Sequence, residues 1–264
     1  MTADAFYLPA GPGEYFSTSA TDSPWERGKQ HGGAVAGLLA RAIDGTRTDP
    51  DLTLARLTVD IHGPVAQGRV RIETQITREG QLIELVAAQL YADDRLAASA
   101  TAWRIRQTDG LTADRATALP APPVLPSPNV QMSFQAVAGG TGYAGAFEWR
   151  GVAGLDDSGT GQVWVRPLIP LVAGEETDPI HHLAVFADNA NGLSMRTPPL
   201  EWLSIPPSLT VTVLQPPRTE WMCLTATTTL GPDGRGIADG TITDEAGRLL
   251  ATVSQPLLVR PRLS

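Results

Sequence analysis

Aliphatic and hydroxyl residues take turns in Ser208-Leu209-Thr210-Val211-Thr212-Val213, which puts Leu209, Val211 and Val213 on one face of a strand and Ser208, Thr210 and Thr212 on the other. Val70-Arg71-Ile72-Glu73-Thr74-Gln75-Ile76 alternates in the same way. Further strands are predicted over Arg69 to Thr77, Ile83 to Tyr91 and Leu96 to Arg106, separated by turns at Arg78-Glu79-Gly80 and Ala92-Asp93-Asp94. The same rhythm returns over Trp221 to Thr229, Gly236 to Thr243 and Arg248 to Arg260. Helical spacing of apolar residues marks Ala34 to Asp44, preceded by His31-Gly32-Gly33, and Ile180 to Ala190, stopped at Asn191-Gly192. Leu57-Thr58-Val59-Asp60-Ile61-His62-Gly63-Pro64 and Leu209-Thr210-Val211-Thr212-Val213-Leu214-Gln215-Pro216 run in step at an offset of 152 residues, so the pattern reads as one unit written twice. A central helix wrapped by a long, curved antiparallel sheet, made twice, is the α+β arrangement expected.

Five prolines between Leu119 and Pro128 block both helix and ladder pairing. They divide the chain into halves at 1–118 and 131–264, with a linker at 119–130. No apolar run reaches a membrane-spanning length, and Met1-Thr2-Ala3-Asp4 lacks the features of a signal peptide, so a cytoplasmic protein without a membrane partner is expected. The formal net charge of −8 argues against nucleic acid as a partner, which needs a dense basic face. A single cysteine, Cys223, lies in an apolar strand pattern and reads as core. His31, His62, His181 and His182 have no metal-ligand spacing, so neither metal nor cofactor is expected.

Several of these segments, in this order, resemble the double-hotdog acyl-CoA thioesterases related to bacterial acyl-CoA thioesterase II. In the first half they are Gln30-His31-Gly32-Gly33, Arg56 to Asp60 with Pro64, and Arg78-Glu79-Gly80. In the second they are Phe186-Ala187-Asp188-Asn189-Ala190, Leu209 to Pro217, Gly234-Arg235-Gly236, and Asp244 to Gln255. The resemblance implies two fused hotdog units joined side by side, an acyl-CoA or acyl-carrier thioester as substrate in fatty acid metabolism, and a homodimer. It also implies a catalytic set of Asp188, Gln255 and a strand hydroxyl; residue type places the hydroxyl at Ser208, ungapped counting from Pro216 falls on Pro206, and a shift of two along the same strand face leaves Ser208 or Thr210 to supply it. His31, Gly32 and Gly33 would bind substrate at the head of the first helix, His31 also reading as a helix cap that lets the chain approach an opposing sheet.

Thioester hydrolysis needs a directed water, an acceptor for its proton and donors for the developing oxyanion. Asp188 would accept the proton or orient the water, Gln255 would hold the same water and Ser208 would complete the cradle, while backbone N–H groups at a helix start would meet the anion. No Gly-x-Ser-x-Gly elbow occurs, so attack by water is favoured over a covalent intermediate. The acyl chain would run in an apolar slot along the helix, with coenzyme A phosphates against arginines at the rim. Two rivals stand beside this reading: a hotdog protein that binds an acyl or polyketide-like ligand without cleaving it, and an enoyl-thioester hydratase or dehydratase, which would want an acidic neighbour for His31.

Overall fold

The computed structural model describes residues 3–108, 121–127, 142–153 and 158–262. Strand β1 (Tyr7–Gly11) pairs with β2 (Glu14–Ser17); helix α1 (Gly32–Asp44) follows, then β3 (Leu52–Ile61), β4 (Arg69–Arg78), β5 (Ile83–Ala92) and β6 (Arg95–Arg106). The described residues of the second half begin with the single turn α2 (Gly142–Gly145), β7 (Phe147–Ala153) and β8 (Thr160–Pro167). It continues through helix α3 (Pro179–Ala187), the short α4 (Ala190–Leu193), β9 (Trp202–Ile205) and β10 (Ser208–Val213). Three long strands, β11 (Met222–Leu230), β12 (Arg235–Asp244) and β13 (Leu249–Pro261), complete it. The alternating segments thus become strands within a residue or two of their expected bounds. Strands β1, β2, β7, β8 and β9 were not foreseen.

All thirteen strands join one antiparallel sheet in the order β1-β2-β4-β5-β6-β3-β10-β13-β12-β11-β8-β7, with β9 added to β13. The order reads as two half-sheets fused at β3 and β10. There Thr58 faces Thr210, Leu57 faces Val211 and Val59 faces Leu209, so the sequence repeat pairs with itself about a local two-fold axis. The two threonine hydroxyls meet at 3.2 Å on that axis.

Inside the curved sheet, α1 and α3 cross in direct contact. A methyl group on Gly33 would lie 2.3 Å from the Val185 carbonyl oxygen, and one on Gly37 would lie 2.2 Å from Val185 Cγ2. Only glycine one turn apart lets the backbones come this close. The chain therefore approaches an opposing helix at His31-Gly32-Gly33, not an opposing sheet as the cap reading expected. Phe6, Tyr143, Phe147, Trp149 and Phe186 form an aromatic cluster beside the crossing, with ring centroids 5.4–6.5 Å apart in tilted or edge-on pairs.

The second helix is shorter than its apolar spacing suggests. It ends at Ala187 with Asp188 as its C-cap, and the chain turns before the four residues of α4. Asp188-Asn189 interrupts the pattern because both side chains favour local bonds over helix continuation, and Asn189 Nδ2 donates to the Phe186 carbonyl at 2.7 Å. Asn191-Gly192 consequently lies inside α4 instead of capping the preceding helix. The linker expected at 119–130 falls largely outside the described residues; within 121–127, the Pro123 carbonyl accepts from Trp164 Nε1 at 3.1 Å. Cys223 is fully buried, packed with Trp164 and Trp221.

Candidate active site

Helix α1 starts where His31, in extended conformation, turns its ring back to cap the Gly33 N–H, which donates to Nδ1 at 3.1 Å. The ring is buried and stacks on Tyr143 with centroids 3.7 Å apart and planes 8° from parallel. Tyr143 is itself pinned, its hydroxyl donating to the Val185 carbonyl and accepting from Asn189 Nδ2, each at 2.8 Å. Burial first, and then the negative charge of Asp188, push the Tyr143 phenol well above its ordinary range.

Because α1 and α3 cross antiparallel, the head of one helix meets the tail of the other. Asp188 at the end of α3 lies against Gly32 so closely that a methyl group there would be 2.8 Å from Oδ2. Asp188 Oδ2 stands 3.1 Å from His31 Nδ1. From the other side, β13 delivers Gln255 on its core-facing edge: Nε2 donates to Asp188 Oδ1 at 2.8 Å, and Oε1 accepts from the Asn191 N–H at 2.9 Å. The carboxamide is fully buried and holds the carboxylate directly, where the sequence reading had it holding a water. Asn191 extends the network to β9, donating to the Ser204 carbonyl at 3.0 Å and accepting from the Ser204 hydroxyl at 2.7 Å.

A pocket of about 350 Å³ opens beside this cluster. His31, Gly32, Asp188, Asn191 and Ser204 form its polar end, while Trp25, Ile61, Val65, Met195, Trp202 and Ile205 supply apolar wall. Lys29 and the exposed Arg262 lie on the same lining. Gly32, the first helical residue, has no intrahelical acceptor for its N–H and no other acceptor among the described residues.

The expected strand hydroxyls are elsewhere. Thr210 faces Ser254 across the ladder, and directly opposed residues share a face, so Thr210 and its neighbour-but-one Ser208 stand on the side of the sheet away from Gln255. Ser208 Oγ donates to the Val59 carbonyl at 3.1 Å, and Thr210 meets Thr58. Pro206 and Pro207 occupy the pocket wall at that end of β10. The structure thus brings Asp188, Gln255, His31 and Gly32 together and leaves Ser208 and Thr210 out. Gly33 belongs to the helix crossing. Asn191 and Ser204 are the residues that sequence reasoning missed, because the Asn-Gly pair reads as a turn signal and β9 is too short to announce itself.

Among the described residues no three His, Cys, Asp or Glu groups converge to hold a metal ion, and no helix is long and apolar enough to cross a membrane.

Comparison with solved structures identifies the architecture as a tandem hotdog. A hot-dog-fold protein from Alicyclobacillus acidocaldarius is similar at 17% identity with a TM-score of 0.76, covering 98% of each chain. An acyl-CoA thioesterase II from Mycobacterium marinum is similar at 19% identity and TM-score 0.70, over 95% of this chain and 92% of that one. A TesB protein from Mycobacterium avium subspecies paratuberculosis is similar at 16% identity and TM-score 0.72, over 97% and 96%. The comparison with curated proteins found no match. The family model for the acyl-CoA thioesterase N-terminal domain matches residues 21–105, and that for the C-terminal domain matches residues 113–259. With both halves matched in order, the chain belongs to the acyl-CoA thioesterase family.

Proposed function

We propose that this chain hydrolyses an acyl-CoA by direct attack of water on the thioester carbonyl. Asp188 is the general base: it takes a proton as the water oxygen bonds to the carbonyl carbon, and returns it to the coenzyme A sulfur as the carbon–sulfur bond breaks. Gln255 is a positioning residue, fixing one oxygen of the carboxylate that lines the pocket. The free Gly32 N–H, at the positive end of α1, meets the oxyanion. Lys29 and Arg262 suit the phosphates of coenzyme A, and the apolar wall suits the acyl chain.

The observation that supports this reading most is the carboxamide–carboxylate contact at 2.8 Å, with that carboxylate on a pocket wall next to an unpartnered helix N–H. A carboxylate at the negative end of a helix is poorly placed for stability alone, which favours a functional reason for keeping it there. Release of free thiol from a panel of acyl-CoAs tests the proposal. Asp188→Asn should lower kcat by about 10²–10⁴, the usual contribution of a general base. Turnover by that variant at the wild-type rate would show that the base is elsewhere.

One observation favours a second reading, binding without hydrolysis: among the described residues no strand hydroxyl bonds to the Asp188–Gln255 pair, and prolines stand on the wall instead. A pure binder would raise its thermal midpoint with acyl-CoA yet release no thiol.

A further inference from the structure

We propose that His31 is a positioning residue for Asp188, in which one ring nitrogen serves either the helix or the carboxylate, so that a proton on that nitrogen orients the base. The inference rests on the reading of Asp188 as base. Its origin is a conflict of donors and acceptors. Nδ1 of His31 lies 3.1 Å from the Gly33 nitrogen and also 3.1 Å from Asp188 Oδ2. A ring nitrogen carries a lone pair or a proton, never both. With a lone pair, Nδ1 accepts from Gly33 and confronts the Asp188 carboxylate with a second acceptor, an unfavourable contact. With a proton, Nδ1 donates to Asp188 and can no longer accept from Gly33, so α1 loses its side-chain cap.

The second state is the one suited to hydrolysis. It holds Asp188 ionised and gripped at both oxygens, by Gln255 at Oδ1 and His31 at Oδ2. It leaves the Gly32 N–H, on the pocket lining at the positive end of the helix, as the donor for an oxyanion. The first state keeps α1 capped and the site idle. Ring rotation is an unfavourable way to exchange them, because the imidazole is only 6% exposed and stacked on a tyrosine whose hydroxyl is itself doubly bonded. The exchange is therefore a matter of where the proton sits. The groups facing this pair are few: Tyr143 from α2, kept neutral by burial, and Glu26, Lys29 and Arg262 on the pocket lining.

Two measurements test this independently of each other. Ring nitrogen resonances of ¹⁵N-histidine-labelled protein, with His31 assigned by its loss in His31→Ser, should show a protonated Nδ1 at neutral pH. They should show an unprotonated Nδ1 in Asp188→Ala, where only the cap remains. An unprotonated Nδ1 in both proteins overturns the proposal whether or not the chain releases thiol. In the second measurement, His31→Ser keeps a side chain able to cap the helix but not to reach Asp188. Its kcat should fall about tenfold or more with KM little changed, while its unfolding stays cooperative. A folded His31→Ser variant with wild-type kcat overturns the positioning role and leaves His31 a cap. Absence of thiol release from the wild type would count against hydrolysis alone, and the resonance measurement would still decide the shared nitrogen.

Discussion

Replacing Gly37 by alanine should destabilise the protein, and the structure says which second change should repair it. At an exposed helical site Gly→Ala raises stability by roughly 1 kcal/mol, since alanine has less backbone freedom to lose. At Gly37 the new methyl would stand 2.2 Å from Val185 Cγ2, well inside contact distance, with the His181 carbonyl oxygen at 3.3 Å closing the other side. Valine in a helix has essentially one rotamer, so its methyl cannot swing away. Overpacking of this kind costs about 1–3 kcal/mol, giving a net loss of up to about 2 kcal/mol. Val185→Ala alone removes two fully buried methyl groups and should cost about 2 kcal/mol. In the double variant the Gly37→Ala methyl fills the space that Val185→Ala vacates. The two losses should then fall short of additivity by about 1–3 kcal/mol in urea unfolding. Gly33→Ala provides the contrast, because its methyl would meet the Val185 backbone oxygen at 2.3 Å, which Val185→Ala does not remove; those losses should simply add. The crossing geometry is refuted if Gly37→Ala raises the thermal midpoint as at an exposed site, or if Val185→Ala relieves both glycine variants equally.

Arg104 and Glu84 form a buried ion pair at 2.6 Å, so Glu84→Leu deprives the buried guanidinium of its direct partner and should cost about 3–5 kcal/mol in denaturant unfolding. Arg104→Met added to it should recover most of that loss, and a single variant within 1 kcal/mol of wild type would show the pair to be solvated, on the scale of exposed ion pairs. Burial pushes His182 down to about 4 from an ordinary 6.5, so the folded protein binds this proton less readily than the unfolded chain. Stability should be intact above pH 6.5 and fall by at most about 3 kcal/mol as pH approaches 4, a slope that His182→Gln should flatten in urea titrations across that range. Burial pushes the Cys223 thiol up to about 12, so a disulfide reagent at pH 8 should leave it untouched until denaturant is added; rapid labelling of the native protein would contradict its placement.

The long strands and α1 were legible because each has one polar face and one apolar face, and because Asp, Glu and Gly mark their ends. Strands β1, β2 and β9 were not, being four or five residues long and set against prolines or aromatics that hide the alternation. Asp188 and Gln255 came from resemblance, since nothing in their spacing tells that the register of β13 will set a carboxamide against the end of α3. The misplaced hydroxyls are instructive, because the signal against them was present. Leu209, Val211 and Val213 claim the core face of β10, and a base carried on a core helix lies on that same side, so Ser208 and Thr210 had to point away from it. The short α4 hid its role for a different reason: Asn191-Gly192 has the composition of a stop, and only the docking of β9 beside β13 gives the Asn191 side chain its partner in Ser204.

The two-fold axis through Thr58 and Thr210 implies that whatever pocket the fold makes at one end of the helix pair, it makes at the other. It does. A second cavity of about 320 Å³ is lined by Thr53, Leu54 and Ala55 where the first has Ile205, Pro206 and Pro207, and by Val213, Gln215 and Pro216 where the first has Ile61, Gly63 and Pro64. Each pair of counterparts is separated by the spacing of the sequence repeat. The chemistry is not repeated. Thr101 faces Thr58 as Ser254 faces Thr210, so the position related to Gln255 is Ala102, which has no amide to offer. Asp178 replaces His31 as helix cap, donating no proton to any carboxylate. Burial works against the charged form of Asp44, the acid at that end, but His181, Arg47 and Arg104 outweigh it and hold the carboxyl below the usual carboxylate range. Arg106 is taken up by Asp49 and Asp51. Asp44 and Asp188 both line their cavities, but at the Asp188 end an amide from β13 holds one carboxylate oxygen and a helix N–H on the lining has no acceptor among the described residues. A duplicated scaffold needs both ends for its core but only one for a reaction, and the carboxamide and the free N–H are what favour the end where α1 begins for the hydrolysis proposed above.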